Sequence, residues 1–350
     1  MSQFRKHVKT VFLVLVTILI LWRVWRGLNW SELRRSFSQA NPLLIAAAMA
    51  VSAATNFLRA CRWRTLLSQL TPVSFHDVFA ATNIGIGASF LFGAALGEII
   101  RPLTLPLLDR QVRATTSFLT IMVERVCDLT ILCVFFGFTL LWLPLVTHPE
   151  QSSYIREAGT ILLILPWLGL VVLVLFKRGF LNMPHWPGTR SARWYRDPNE
   201  SRRFASHFLR KLISSLDLLS NTRELTIVAL WTASQWLANL LAVWVILEAF
   251  GIYFGLRETL LVLCCGLIGS LVPTPGGAAG AFHAAISSGL IFLGLAIERA
   301  AAISITAHLI GFVPALAFGT YYLLRSGINL AQLRREVSDA AQGRERSRAS

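Results

Sequence analysis

Charged residues are scarce in this sequence, and motifs of soluble enzymes are missing from it. Charged side chains make up 15% of the 350 residues, against about 25% in soluble domains. Hydrophobic residues make up 55%, and the mean hydropathy is +0.59. The sequence contains no HExxH, GxSxG, Walker or GxGxxG motif. These absences exclude an ordinary soluble domain and give no support to hydrolase, nucleotide-binding or metalloprotease chemistry.

Cysteine is also rare, and its positions suggest no framework. Of five cysteines, four lie within apolar segments and Cys61 lies at a basic end of a segment. That pattern has neither metal-ligand spacing nor the arrangement of a disulfide scaffold. We therefore expect no metal site and no other cofactor, and we assign no catalytic residue.

Long apolar runs dominate what remains. A bilayer core requires about 20 mostly apolar residues per helix. The sequence therefore predicts an all-α, polytopic helical membrane protein, with a single integral membrane domain over residues 1–325 and a basic tail over 326–350. Six clean transmembrane helices are predicted at residues 10–28, 40–58, 115–143, 158–176, 225–249 and 300–324. The first run has no small-residue cleavage site, so it is interpreted as a retained span and not as a signal peptide.

The positive charge indicates the topology. The net charge is +15, and residues 177–223 carry ten Lys or Arg against three acids. The positive-inside rule places that loop and the basic tail in the cytoplasm. Because the basic residues lie in loops beside apolar runs, we expect anionic membrane lipid, and not nucleic acid, as their partner.

Two apolar segments are interrupted in a way that suits broken helices. Residues 75–97 contain several glycines, and residues 257–297 flank the sequence Pro273-Thr274-Pro275-Gly276-Gly277, which cannot continue a helix. Both segments are predicted as broken or re-entrant hairpins, the second opening from the outside. A full crossing of the first and two full spans in the second remain open. The re-entrant interpretation places the N-terminus in the cytoplasm.

The two hairpins also resemble each other. Aligning them without gaps from Phe75 and Leu256 pairs three sets of similar residues, which are Asp77 with Glu258, Gly85 with Gly266, and Ser89 with Ser270. Repeats of opposite orientation that carry broken helices are common in transporters. The sequence therefore suggests an inverted repeat.

Ionisable residues inside the apolar segments are the first candidates for function, because such residues are costly in a membrane. Glu98 precedes Arg101 by three residues, so the two share a helix face and form either a local ion pair or a headgroup site. Glu124, Arg125 and Asp128 lie within the run 115–143, with Asp128 near the midplane. Glu124 and Asp128 repel each other at spacing four, so a further cation, from Arg101 or from the arginines at 59–64, or a proton on Glu124 is required. A buried network that only fixes packing is the alternative.

The second group of candidates surrounds the proline and glycine motif. Unpaired backbone N–H groups after Pro273, Thr274, Pro275, Gly276 and Gly277 could bind an anion where the next helix begins. His283 follows closely and could titrate near neutral pH. A simple packing break is the alternative for the motif, and a satisfied hydrogen-bonding residue is the alternative for the histidine.

Taken in order, four stretches carry a family resemblance. These are RACRWRTLL at 59–67, GAALGEIIRPLTL from Gly93, ERVCD from Glu124 and PTPGG from Pro273. Over about residues 10–325 the chain resembles the flippase-like family, also described as the transmembrane region of lysylphosphatidylglycerol synthase. By position, Gly97, Glu98 and Arg101 match its GE..R pattern, and Glu124, Arg125 and Asp128 match its ER..D pattern. The acid that commonly follows PTPGG in this family is absent here, where Phe282-His283 stands.

The resemblance implies a function in handling lipid. It implies a helical membrane fold of the bacterial or archaeal cytoplasmic membrane and translocation of an aminoacylated or anionic phospholipid between leaflets. Because only residues 326–350 follow the last predicted span, the aminoacyl-transfer domain of the synthase is not expected in this chain, and a separate lipid-synthesising enzyme is a possible partner. Two rival interpretations stay open: a membrane-embedded enzyme or subunit that modifies a lipid or a polyprenyl-linked sugar, and a scaffold for a lipid synthase.

Overall fold

The computed structural model describes residues 29–92, 94–142, 157, 159–164, 222–272 and 278–328. These residues form helices and contain no strand, in agreement with the all-α prediction. Nine helices have assigned bounds within the described ranges: α1 Trp30–Gln39, α2 Pro42–Ser68, α3 Phe75–Phe92, α4 Ala94–Leu108, α5 Ala114–Trp142, α6 Thr222–Ala249, α7 Leu256–Leu271, α8 Ala279–Phe292 and α9 Ile297–Arg325.

Three of the described helices are long and apolar enough to cross a membrane, which are α2, α6 and α9. Helix α5 begins and ends within one residue of the bounds predicted for the third span, but it also carries the charged residues discussed below. The predicted span at residues 10–28 and most of the one at 158–176 lie outside the described residues. The prediction of six clean spans is therefore not confirmed as a count.

The first long helix begins and ends differently from its prediction. Its start is fixed by Asn41, whose side-chain oxygen accepts hydrogen bonds from the backbone N–H groups of Leu43 and Leu44, and by Pro42 in the first turn. Its end lies at Ser68, ten residues beyond the predicted limit at 58. The extension holds three arginines. One of them, Arg62, is fully buried and forms ion pairs with carboxylates of α5. The helix therefore continues past residue 58, where the arginines had suggested the end of the span, because ion pairs with another helix compensate the charge.

Contacts between helix termini define two ends of the bundle. At one end, which we call the Ser68 end, residues from the end of α2 and the starts of α3 and α6 line one cavity, and His76 of α3 packs on Tyr322 of α9 with ring centroids 5.5 Å apart. At the other, the Asn41 end, the backbone N–H of Asn41 donates to the carbonyl of Ala249 at 2.8 Å. Helices α2 and α6 therefore run antiparallel, and α9 runs from the Asn41 end to the Ser68 end.

Helices α3 and α4 form an antiparallel hairpin that opens at the Ser68 end. A Cβ on Gly85 would lie 2.6 Å from Cβ of Arg101, and one on Gly97 would overlap the hydroxyl of Ser89. Because Gly85 contacts Arg101 and Ser89 contacts Gly97, the chain reverses its direction between α3 and α4. The returning helix ends at Leu108, so the hairpin is longer than the predicted 75–97.

The hairpin does not extend along the whole length of α9. The Phe90 ring, near the end of α3, packs on His308 and Phe312 with centroid distances of 5.8 and 5.6 Å. These two residues flank the middle of α9, which runs from Ile297 to Arg325. The last turns of α3 therefore reach about halfway along a helix that is long enough to cross a membrane.

Helices α7 and α8 form a second antiparallel hairpin, open at the Asn41 end. A Cβ on Gly269 would lie 2.7 Å from Cα of Phe282, and one on Gly289 would lie 2.7 Å from Sγ of Cys265. Both hairpins also share a local hydrogen bond: the Ser89 hydroxyl donates to the Gly85 carbonyl at 3.1 Å, and the equivalent Ser270 hydroxyl donates to the Gly266 carbonyl at 2.8 Å. The two hairpins thus open at opposite ends of the bundle.

Candidate functional site

Three helices bring seven charged side chains together inside the bundle. Helix α2 contributes two arginines, α4 contributes an arginine and a glutamate, and α5 contributes an arginine and two acids. We call this set the arginine cluster. Its members are Arg59, Arg62, Glu98, Arg101, Glu124, Arg125 and Asp128.

Glu124 lies at the centre of the cluster and is fully buried. Its carboxylate accepts hydrogen bonds from both Nη atoms of Arg101, at 2.7 and 3.4 Å, and from Nε of Arg62 at 3.4 Å. Two arginines from two different helices therefore balance one glutamate. Bidentate pairing of this kind is both strong and directional.

Asp128 is held one turn further along α5. It receives a bidentate pair from Arg62, with distances of 2.7 and 3.2 Å, and a hydrogen bond of 3.1 Å from the indole Nε1 of Trp236 on α6. Arg62 thus bridges Glu124 and Asp128, which would otherwise repel each other at spacing four. The structure supplies the further cation that the sequence required, both from Arg101 and from the arginines at 59–64.

Of the two interpretations of Glu98 and Arg101, the local ion pair is not formed. Glu98 instead lies 3.4 Å from Nη1 of Arg125, while Arg101 turns toward Glu124. The pair of Arg125 with Asp128, predicted at spacing three, is present at 2.9 Å. Because α4 packs on α5, cross-helix partners replace the partner on the same helix face.

The cluster contains more positive than negative charge. Four arginines face three carboxylates, which leaves a surplus of one positive charge if all are ionised. Among the described residues, Nε of Arg59, Arg101 and Arg125 are buried without a hydrogen-bond partner, and so is one carboxylate oxygen, Oε2 of Glu98. Within the same residues no carboxylate lies at ion-pair distance from Arg59. The site can therefore accept an anion without displacing an existing ion pair.

Neutral side chains complete the walls of the site, and none of them was predicted from the sequence. The Arg101 guanidinium stacks over the Trp63 ring, 4.1 Å from its centroid, and the indole of Trp63 donates to Thr120 at 2.9 Å. Trp236 and Thr232 contact the cluster from α6, more than 100 residues away in sequence. Trp236 and Thr232 could have been identified from the sequence only by knowing that α6 packs against α2.

Gly97 has a packing role in the structure. A side chain there would collide with the Ser89 hydroxyl and lie 2.5 Å from the Gly85 carbonyl oxygen. The glycine therefore lets α4 approach α3 closely. This approach positions Glu98 and Arg101 on the side of the hairpin that meets α5.

The second group of predicted residues is only partly described by the structure. Pro273, Thr274, Pro275, Gly276 and Gly277 lie outside the described residues, so anion binding there stays a prediction.

His283 lies on α8, which contributes nothing to the cluster. Its ring is buried, 5.0 Å from the ring of His308 on α9, and its Nδ1 has no partner among the described residues. A cavity of about 200 Å³ borders His308 and is lined by both hairpins. Titration of His283 stays a prediction.

A comparison with known protein families gives one match. The family described as lysylphosphatidylglycerol synthase TM region matches residues 10–319. The match includes the whole arginine cluster and both hairpins. No curated protein and no solved structure matched the chain.

Proposed function

Because this chain belongs to the lysylphosphatidylglycerol synthase transmembrane-region family, we propose that it translocates a phospholipid between leaflets, with the headgroup passing through the arginine cluster. The chain is a helical membrane protein, and its family is linked to lipid handling. The proposed substrate is an anionic or aminoacylated phospholipid, whose phosphate would meet the surplus guanidinium groups while its acyl chains stay in the bilayer.

The observation that carries this proposal is the surplus of one positive charge in the arginine cluster. The buried members, Arg62, Arg101, Glu124 and Asp128, already balance each other, and the extra charge comes with the half-buried Arg59. A network that only fixed helix packing would need no further cation beside such balanced charges. Here the unpartnered donors belong to Arg59, Arg101 and Arg125, on all three helices that build the cluster. Arginine suits phosphate because its planar donors match the phosphate oxygens.

The arrangement of the hairpins supports a transport role as well. Two antiparallel hairpins that open at opposite ends, with equivalent serine to glycine hydrogen bonds, are the expected elements of an inverted repeat. We propose that both are re-entrant in the cytoplasmic membrane of a bacterium or archaeon. The basic loop 177–223 then places the Ser68 end and both termini in the cytoplasm.

The cluster favours transport over acid and base chemistry. Glu124 and Asp128 are each held by two arginines, and such pairing stabilises the ionised carboxylates. A general acid must hold a proton near the operating pH. The membrane-enzyme interpretation therefore has less support from this site than the flippase interpretation.

The test is leaflet exchange of fluorescent phospholipids in proteoliposomes. We expect native protein to speed the exchange of anionic or aminoacylated lipid, and Arg59→Gln to slow it about tenfold or more, because a charge-assisted contact to phosphate is lost. Arg59 suits this test because the change leaves the buried ion pairs of the cluster intact. Arg101→Ala and Asp128→Asn should abolish exchange if the variants still fold.

The matched control is Arg34→Gln, on the exposed surface of α1. It removes the same charge far from the cluster and should exchange lipid like the native protein. Native exchange no faster than in protein-free liposomes, across several lipids, would contradict the proposal. If Arg59→Gln exchanges lipid at the native rate, the headgroup does not depend on the arginine cluster, and the proposed path is wrong.

A further inference from the structure

A second cavity, of about 330 Å³, opens at the Ser68 end between α2, α6 and the start of α3. It is separate from the arginine cluster. Arg64 lines this cavity, whereas Arg62 points to Glu124 and Asp128. Two residues along an α-helix are about 200° of rotation, so the two arginines serve opposite sides of α2. None of the seven cluster residues lines this cavity.

The cavity is charged at its rim and mainly apolar within. Arg64 and Ser68 lie in the last turns of α2, and Glu224 lies in the first turn of α6. Ile227 and Trp231 follow on the same face of α6, with Trp231 about 13 Å from the helix start at 1.5 Å per residue. A phospholipid has the same polarity, with its charged headgroup outside and its acyl chains inside.

The two charged residues at the rim are not used to neutralise each other. Arg64 and Glu224 line the same cavity but form no ion pair with each other. Arg64 lines the cavity and donates a hydrogen bond from its Nε to the Val73 carbonyl at 3.4 Å; this bond does not use its Nη atoms. A guanidinium matches a phosphate, and a carboxylate matches an ammonium group.

We propose that this cavity binds a phospholipid whose headgroup carries both a phosphate and an ammonium group, with the phosphate on Arg64 and the ammonium on Glu224. The site is distinct from the translocation path proposed above. It would hold a lipid at the surface of the bundle, beside the point where α2, α3 and α6 meet. Its chemistry selects for the ammonium group, which the surplus positive charge of the arginine cluster does not.

The test is native mass spectrometry of the purified full-length protein with phosphatidylethanolamine or phosphatidylglycerol of identical acyl chains. We expect the native protein to prefer phosphatidylethanolamine. Glu224→Gln should weaken binding of phosphatidylethanolamine about tenfold and leave phosphatidylglycerol unchanged, since only the first lipid has an ammonium group. Arg64→Gln should weaken both lipids.

Two further variants keep the test specific. Glu32→Gln on α1 removes an exposed carboxylate of similar kind at the other end of the bundle and should bind both lipids like the native protein. Cys61→Phe fills the cavity while keeping both charges at the rim, so it should displace the lipid. Soluble glycerophosphoethanolamine should compete only weakly, because it lacks acyl chains; strong competition would assign the site to a soluble zwitterion and overturn the lipid assignment.

The outcome is independent of the transport assay. Arg59→Gln should slow leaflet exchange but keep the native preference for phosphatidylethanolamine. Equal binding of the two lipids by the native protein, or native behaviour of both Arg64→Gln and Glu224→Gln, would overturn this inference. Neither result would affect the proposed path through the arginine cluster.

Discussion

Glu124 offers the sharpest test of how the arginine cluster is held together. Its carboxylate is fully buried between Arg62 and Arg101. Glu124→Gln preserves the shape of the side chain but removes its charge, which raises the surplus of positive charge in the cluster from one to two. Removing one partner of a buried ion pair costs about 3–5 kcal/mol, because the other partner is left uncompensated.

Glu98→Gln is the matched control, since it makes the same chemical change on α4, at a half-exposed position of the cluster. Its partner is Arg125, and the two side chains are 37% and 34% exposed. An ion pair with this exposure contributes about 0–1 kcal/mol. The two substitutions should therefore differ by at least about 2 kcal/mol. If burial and pairing had no influence, the two substitutions would lower the free energy of unfolding by the same amount.

The assay is equilibrium unfolding in detergent micelles, followed by tryptophan fluorescence, with the native protein and both variants under one set of conditions. A double variant, Glu124→Gln with Arg101→Met, should recover part of the loss, because the methionine keeps an apolar contact with Trp63 and removes one uncompensated charge. Coupled neighbours differ from additivity by about 0.5–3 kcal/mol. A Glu124→Gln protein as stable as the Glu98→Gln control would refute the reasoning.

Three other predictions test the packing and the topology. Gly97→Ala should destabilise the first hairpin by about 1–3 kcal/mol, because the new methyl group would collide with a backbone oxygen. Its control is Gly311→Ala, whose Cβ would lie 3.4 Å from the nearest side-chain atom; this variant should unfold at nearly the same temperature and denaturant concentration as the native protein. Trp236→Phe removes the indole donor to the aspartate of α5 and should cost about 1–3 kcal/mol of unfolding free energy in the same assay. In a cysteine-free background in intact cells, Tyr253→Cys should react with a membrane-impermeant thiol reagent and Ser68→Cys should react only after permeabilisation; labelling of both from outside would contradict the proposed orientation.

Long apolar runs predicted the helices well where packing between distant segments has little influence on where the helices end. Helices α5, α6 and α9 begin and end within three residues of the predicted spans, because long apolar runs specify helices of membrane length. The hairpins were indicated by glycines that the structure uses for close approach of α3 to α4 and of α7 to α8.

The pairing within the arginine cluster could not be predicted in full. The sequence identified Glu98 and Arg101 as neighbours on one helix face, and that geometry is correct for an isolated helix. In the bundle, the buried Glu124 on α5 requires a compensating charge and receives it from Arg101, whereas Glu98 is 37% exposed and can be solvated. The role of Arg62 depends on partners 62 and 66 residues away in the chain, which no local pattern reveals.

The two halves of the molecule share a backbone plan but differ in charge. Each half has a long helix, a broken hairpin and a second long helix, and the hairpins have equivalent serine to glycine hydrogen bonds. In the first half the hairpin presents Arg101 to Glu124, whereas in the second α8 presents His283 to His308. Among the described residues, the backbone plan is therefore shared by the two halves, whereas the charged site is built on the first hairpin and the helices that pack on it. Similar glycine and serine positions can thus specify similar hairpins without specifying similar sites, because the close approach of two helices and the charges on their outer faces depend on different residues.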